Sequence, residues 1–222
     1  RKLNIEPEDP LEVVSYTGAR LPDAKAVRVS SPIGRMNAKE LEFLSKQRMH
    51  PSSKQGKLGQ VHEIEIERAI DLPMGSIIAS ANRMGNGFKV IGCDFGFNRS
   101  RGILIKASHG IVKDNRIEAC WGEAVKVSPE YWWLESGSSN DVAITGNTIT
   151  NCLGKGIAVY AIAGKGGMAP TGAHNNIVIE NNTITDVEDL HIWVSSTKGL
   201  TLKDNTYDTT KLKLENCQDV KR

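Results

Sequence analysis

FKVIGCDFGFNRSRGILIKAS (88–108), GIVKDNRIEACWGEAVKVS (110–128), DVAITGNTITNCLGKGIAVYA (141–161), NIVIENNTITDVEDLHIWVSS (176–196) and GLTLKDNTYDTTKLKLEN (199–216) are five versions of one line. Each opens on alternating apolar residues and then carries an Asn, followed two residues later by an apolar side chain. The Asn positions are Asn115, Asn147, Asn182 and Asn205, with Cys93 in that place in the first line. The apolar residues after them are Phe95, Ile117, Ile149, Ile184 and Tyr207. Steps between the marked positions are 22, 32, 35 and 23 residues, so the base period is 22 to 23. The two longer steps hold extra residues at one place in the line, PEYWWLESGSSN (129–140) and IAGKGGMAPTGAH (162–174).

Period-two alternation over four to six residues specifies strands rather than helices. A strand-rich repeat of this length with Asn at a fixed turn reads as one coil of a right-handed parallel β-helix, the solenoid architecture of pectate lyases. One coil cannot bury its inward face alone, so neighbours stack at the strand spacing of about 4.8 Å and share a core. Stacked Asn side chains then form a hydrogen-bonded ladder along the axis. Ile105, Val127, Val159 and Val194 fall on one inward row, and Cys120 and Cys152 on another, each five residues after its Asn. A leucine-rich horseshoe is the competing solenoid, but its Leu pattern is missing.

Residues 1–85 stand outside the repeat. LEVVSY (11–16), AVRVSS (26–31), LEFLS (41–45) and VHEIEIER (61–68) are short alternating runs separated by turns and a polar loop at 50–60. They predict a small antiparallel β-subdomain with a lead-in, followed by coils over 86–222. The fold class expected is thus all-β, a parallel β-helix preceded by that subdomain.

Composition limits function. Of 222 residues, 28 are Lys or Arg and 26 are Asp or Glu, a net charge of +2 that gives no strong pull toward nucleic acid or acidic membranes. The longest apolar stretch, near Ile157 to Ala163, falls far short of the roughly 20 residues needed to cross a bilayer. The four cysteines form no CxxC and the five histidines no HExxH, so neither a metal nor a cofactor is expected.

Alternation places Leu104 and Lys106, Lys126 and Ser128, Ala158 and Tyr160, and Trp193 and Ser195 on the outer face of the strand after the turn. Both insertions follow that strand and predict loops gathered along one edge, the usual way a solenoid builds a groove. Trp132, Trp133 and Trp193 belong to this region, and an aromatic ring suits the apolar CH face of a sugar. Arg99, Arg101, Glu123, Lys126, Tyr131 and Glu135 are candidate partners for hydroxyls or an acidic substituent. An oligo- or polysaccharide is the expected partner. Glycosidases work with two carboxyl groups about the scissile bond. Glu123 and Glu135 are the acids near this region in the central coils, and the chain has no adjacent Asp-Asp pair, so no acid/base pair can be assembled from it.

The run 92–152 resembles glycoside hydrolase family 110, exo-acting α-1,3-galactosidases. Two segments carry the likeness: Asn98-Arg99-Ser100-Arg101-Gly102 running into Ile103–Ile105, and Tyr131-Trp132-Trp133-Leu134-Glu135-Ser136-Gly137. The small β-subdomain upstream resembles the family's as well. The resemblance implies an inverting, metal-free hydrolase acting on α-galactosides, secreted or periplasmic and bacterial. It also implies that the catalytic aspartates, an adjacent pair among them, precede the subdomain. No residue here inherits that role, and the expectation is that this segment belongs to a longer protein whose N-terminal part supplies them. Trp133-Leu134 stands where the family has Tyr-Glu, which changes the contacts expected of that loop. Two other readings stay open: a non-catalytic carbohydrate-binding or surface solenoid, and a polysaccharide lyase using Lys126, Arg99 or Arg101.

Overall fold

The computed structural model describes residues 3–40, 42, 60–131, 135–164 and 166–222. The chain divides into two compact units. One comprises residues 1–84 with 130–137 and 162–167; the other comprises 85–129, 138–161 and 168–222.

In the first unit β1 (Pro10–Val14) pairs antiparallel with β2 (Ala24–Val29). β3 (Gly34–Arg35) and β4 (Gln60–Val61) form a short antiparallel pair of their own. β5 (Ile64–Ile66) adds to β2, and β6 (Ile77–Ser80) to the other side of β1, giving the order β5-β2-β1-β6. Ile5, Leu11, Ala24 and Ala26 form the core, with Ile64, Ile66 and Ile78 against them. VHEIEIER, continuous as a pattern, is cut at His62-Glu63. There His62 Nδ1 lies 2.9 Å from the Ser30 carbonyl and the Glu63 N–H donates to Ser30 Oγ at 2.8 Å, so side-chain bonds replace a rung of the ladder. β1 is buried on both faces, including Glu12, which is 2% exposed. A buried carboxylate needs a partner, and Arg20 Nη1 lies 3.4 Å from Glu12 Oε2. The run at 41–45 lies, Glu42 apart, outside the described residues.

The second unit is the solenoid, with three parallel sheets that each take one strand per coil. The first sheet holds β7 (Lys89–Ile91), β10 (Gly110–Lys113), β13 (Asn140–Thr145), β16 (His174–Glu180), β19 (Thr197–Lys203) and β21 (Gln218–Lys221). The second holds β8 (Asp94–Gly96), β11 (Arg116–Glu118), β14 (Thr148–Cys152) and β17 (Thr183–Val187). The third holds β9 (Ile103–Ile105), β12 (Val125–Val127), β15 (Ile157–Val159), β18 (Ile192–Ser195) and β20 (Leu212–Glu215). In the fifth coil the second strand shrinks to a single bridge, Thr183 with Thr206.

Register follows the repeat. Ile105, Val127, Val159 and Val194 are cross-strand partners in series and belong to one continuous core. The Asn ladder is complete: Asn115 N and Nδ2 donate to Asn147 Oδ1 at 3.1 and 2.8 Å. Asn147 does the same to Asn182 at 3.0 and 2.9 Å, and Asn182 to Asn205 at 3.0 and 2.9 Å. Cys93 can begin the series because only its backbone N–H is needed there, donating to Asn115 Oδ1 at 2.9 Å. The residue before each rung is left-handed: Gly92, Asp114, Gly146, Asn181 and Asp204 have φ between 50° and 69°. Gly, Asn and Asp are the residues that tolerate this conformation.

Candidate functional site

The outer face of the third sheet is organised in columns. Leu104, Lys126, Ala158, Trp193 and Lys213 are successive cross-strand partners. Two residues further along, Tyr160 lies beside Ser128, its N–H bonded to the Val127 carbonyl at 3.0 Å, and Ser195 pairs with Glu215. The sequence places these side chains outward, where solvent is the default. Lys126 is nonetheless 4% exposed, and Ala158 and Tyr160 are buried.

The cause within this unit is a ring that crosses columns. The Tyr160 ring stacks on Trp193 with centroids 4.6 Å apart and planes inclined at 23°. The Lys126 ammonium lies 5.1 Å from the same ring. Lys126 and Trp193 flank Ala158 in their column, so the ring that touches both lies above Ala158, the smallest side chain of the five. Tyr160 Oη reaches on to Glu123 Oε1 at 3.3 Å. Glu123 in turn has Arg101 Nε 3.8 Å from its other oxygen.

Cations ring the platform. Lys155 Nζ and Lys213 Nζ stand 5.3 and 5.8 Å from the Trp193 ring, within cation–π range. Each is also tied to an acid, Lys155 to Asp189 at 2.5 Å and Lys213 to Glu215 at 2.5 Å. The hydrogen bond from Lys155 holds the Asp189 carboxyl below its ordinary range, against a smaller opposing effect of burial. Trp193 Nε1 is buried without an acceptor among the described residues. A donor so placed carries an unmet desolvation cost.

Four expected residues therefore come together: Arg101, Glu123, Lys126 and Trp193. Arg99 lies exposed on the turn ahead of them. Tyr131 and Glu135 belong to the first unit, where Tyr131 is 1% exposed and Glu135 is open to solvent. Trp132 and Trp133 lie outside the described residues. Tyr160, Lys155 and Lys213 are site members that sequence reasoning did not single out. Alternation placed Tyr160 on this face without marking it as a site residue, and the small Ala158 between two long neighbours was the further signal. No group of three or more His, Cys, Asp or Glu able to hold a metal occurs among the described residues.

Residues 74–168 match the family described as Right handed beta helix region. Over 126 residues the chain is 32% identical to alpha-1,3-galactosidase A of Bacteroides fragilis, covering 54% of this chain and 21% of that protein. It is 29% identical over 119 residues to alpha-1,3-galactosidase A of Shewanella woodyi, covering 52% and 20%. The protein of that name from a second Bacteroides fragilis strain is 33% identical over 119 residues, covering 50% and 20%. The chain spans about a fifth of the length of these curated relatives. The second unit is a right-handed parallel β-helix, and the resemblance to family 110 read from the NRSRG and YWWLESG segments is matched by these relatives. The chain is a β-helix protein similar over about half of its length to proteins named alpha-1,3-galactosidase A.

Proposed function

We propose that the outer face of the third sheet is a saccharide-contacting wall of an exo-acting glycoside hydrolase for terminal α-galactosides, with the catalytic acids on residues outside this segment. The observation that carries the reading is the Tyr160–Trp193 stack with Glu123 hydrogen-bonded to its edge. Buried Tyr160 backs the half-buried Trp193 ring, whose open part suits the CH face of galactose, while the partly exposed Glu123 and Arg101 side chains offer an acceptor and donors to its hydroxyls. The relatives' printed activity supports the α-1,3 linkage. Arg99, Tyr131, Trp132, Trp133 and Glu135 enter the proposal on the resemblance alone. The protein acts on oligo- or polysaccharides in the secreted or periplasmic space.

The test is calorimetric titration of the 222-residue chain with galactosyl-α-1,3-galactose. Binding that weakens about tenfold in Trp193→Ala supports the reading, since the stack is worth about 1 kcal/mol or more. Equal affinity of the two proteins overturns it.

One observation favours a second reading, a carbohydrate-binding solenoid without turnover. Glu123, Asp189 and Glu215 each sit against a cation. Acids held this way are oriented to accept from hydroxyls, and the Asp189 carboxyl, held below its ordinary range by Lys155, is a poor proton donor. That reading gives binding with no galactose release even in the longer protein. The lyase alternative draws less support, because Lys126, covered and set over a ring, is poorly placed to take a proton from a sugar carbon.

A further inference from the structure

Cys120 and Cys152 occupy the same position on consecutive coils of the solenoid. The Ala119 N–H donates to the Thr150 carbonyl at 3.2 Å and the Leu153 N–H to the Cys120 carbonyl at 2.9 Å. These bonds flank the two cysteines and set them side by side, one strand spacing of about 4.8 Å apart. Each follows a left-handed residue, Ala119 at φ 53° and Asn151 at φ 54°, so the backbone has the same shape at both positions. The side chains point the same way, into the core, and both are 0% exposed. Each thiol leans on the carbonyl two residues back, Cys120 Sγ on Glu118 O at 3.8 Å and Cys152 Sγ on Thr150 O at 3.3 Å. In the structure both thiols are free. A disulfide needs Cα atoms about 4.4 to 6.8 Å apart, which this register provides, and Cβ atoms about 3.5 to 4.5 Å apart, so closure draws the two Cβ atoms together by a few tenths of an ångström from the strand spacing. Cys93 and Cys217 lean on the carbonyl two residues back as well, at 3.5 and 3.4 Å. But Cys93 is exposed and stacks on Asn115, and Cys217 precedes Gln218, the partner of Lys198, so neither faces another cysteine.

We propose that Cys120 and Cys152 form a disulfide between the second and third coils when the chain folds in a medium containing a small-molecule disulfide oxidant. One thiolate attacks a sulfur of the oxidant, breaking its S–S bond and releasing one small thiol. The second cysteine thiolate then displaces the remaining half. Two protein thiols lose two electrons and two protons, one protein S–S bond forms, and the oxidant leaves as two thiols. Closure belongs to folding rather than to the finished solenoid. In the folded protein burial, with the neighbouring Cys152, pushes the Cys120 thiol up to about 11, where the attacking thiolate is scarce. The bond staples the coil that carries Glu123 and Lys126 to the coil that carries Lys155 and Tyr160. It stands whether or not those residues bind sugar.

The experiment is refolding of the 222-residue chain in a reduced and oxidised glutathione mixture, and in parallel with reductant alone. Free thiols are then blocked with iodoacetamide in denaturant and peptides are mapped by mass. After oxidative refolding the expected product is a linked peptide pair containing Cys120 and Cys152, two hydrogens lighter than the separate peptides, with Cys93 and Cys217 blocked. Its thermal midpoint lies about 10 °C above that of the reduced chain, and Cys120→Ser loses both the link and the shift. Four blocked cysteines after oxidative refolding, or Cys120 joined to glutathione, Cys93 or Cys217, overturns the proposal, and this reading does not depend on the variant folding.

Discussion

Tyr160 and Trp193 stack at 4.6 Å although they stand in different columns and on different coils. The Tyr160 side chain turns aside from its own column and covers the neighbouring one, so its ring does two things at once. It closes the outer face above Ala158 and holds an edge hydroxyl against Glu123.

Those two roles separate by mutation. Tyr160→Phe keeps the ring, the stack and the Lys126 contact, and loses the hydroxyl with its bond to Glu123, a cost of about 1 kcal/mol. Tyr160→Ala removes the cover and costs about 3 to 5 kcal/mol. Urea unfolding of both variants reads the difference. Equal losses would show that the ring contributes nothing beyond its hydroxyl.

The Asn ladder gives a second graded comparison. Asn147 is fully buried, accepts from Asn115, and donates to Asn182 Oδ1, Val112 O and Thr145 O. Asn147→Ala strands buried donors and acceptors on both sides, and the expected loss is about 3 kcal/mol. At about 2 to 4 °C per kcal/mol for a chain of this size, the thermal midpoint falls by roughly 6 to 12 °C. Asn205, at the half-buried end of the series, loses less than half as much on substitution by Ala. A calorimetric scan of the two variants checks the order.

These ladders were legible because a solenoid's contacts are local in the repeat: once the period of 22 to 23 was found, register and inward rows followed. Asn115, Asn147, Asn182 and Asn205 could be set one above another from spacing alone, as could Cys120 and Cys152. Alternation also told that Lys126, Ala158 and Tyr160 point outward. It could not tell that they are covered, because alternation gives a side chain's direction at Cβ and not where a long ring comes to rest. Glu12, the charged position in the alternating run LEVVSY, is 2% exposed, which alternation alone does not foretell either. The break in VHEIEIER was invisible for another reason: it depends on Ser30, more than thirty residues away.

Two histidines set the acid limb of stability. Burial lowers the pKa of His174, whose Nδ1 lies 3.2 Å from the Ser139 N. Burial and then the Lys211 charge lower that of His191, against the opposing pull of Asp208 and Asp186. The ordinary value of both is 6.5, so below it the unfolded chain binds protons that the folded chain refuses. Their contribution is complete above pH 6.5 and is lost as pH falls toward the folded values. The acids with lowered values, Asp9, Asp189 and Asp208, lose theirs only as pH falls below about 3.8. Denaturant midpoints measured from pH 7.5 to 5 should therefore decline in about the histidine range. His174→Asn should flatten that slope whatever its effect on stability at pH 7.5.

Gly154 tests how closely the second and third coils approach at the turn before the outer face. A Cβ on Gly154 would land on the carbonyl carbon and oxygen of Gly122 and come within 2.8 Å of the Glu123 nitrogen. These are backbone atoms that cannot rotate away, so relief requires the two coils to separate beside Glu123. Gly154→Ala is expected to cost about 2 to 3 kcal/mol, whereas Gly34→Ala, with nothing within 4 Å of the added carbon, stays within about 0.5 kcal/mol of the parent. Separation at Glu123 also draws its carboxylate from Tyr160 Oη, now at 3.3 Å. A cycle combining Gly154→Ala with Tyr160→Phe should therefore show the hydroxyl's worth shrinking in the Ala background, because the bond it removes is already stretched. Strict additivity in urea unfolding would mean that the turn and the outer face are independent and that the close approach serves the backbone alone.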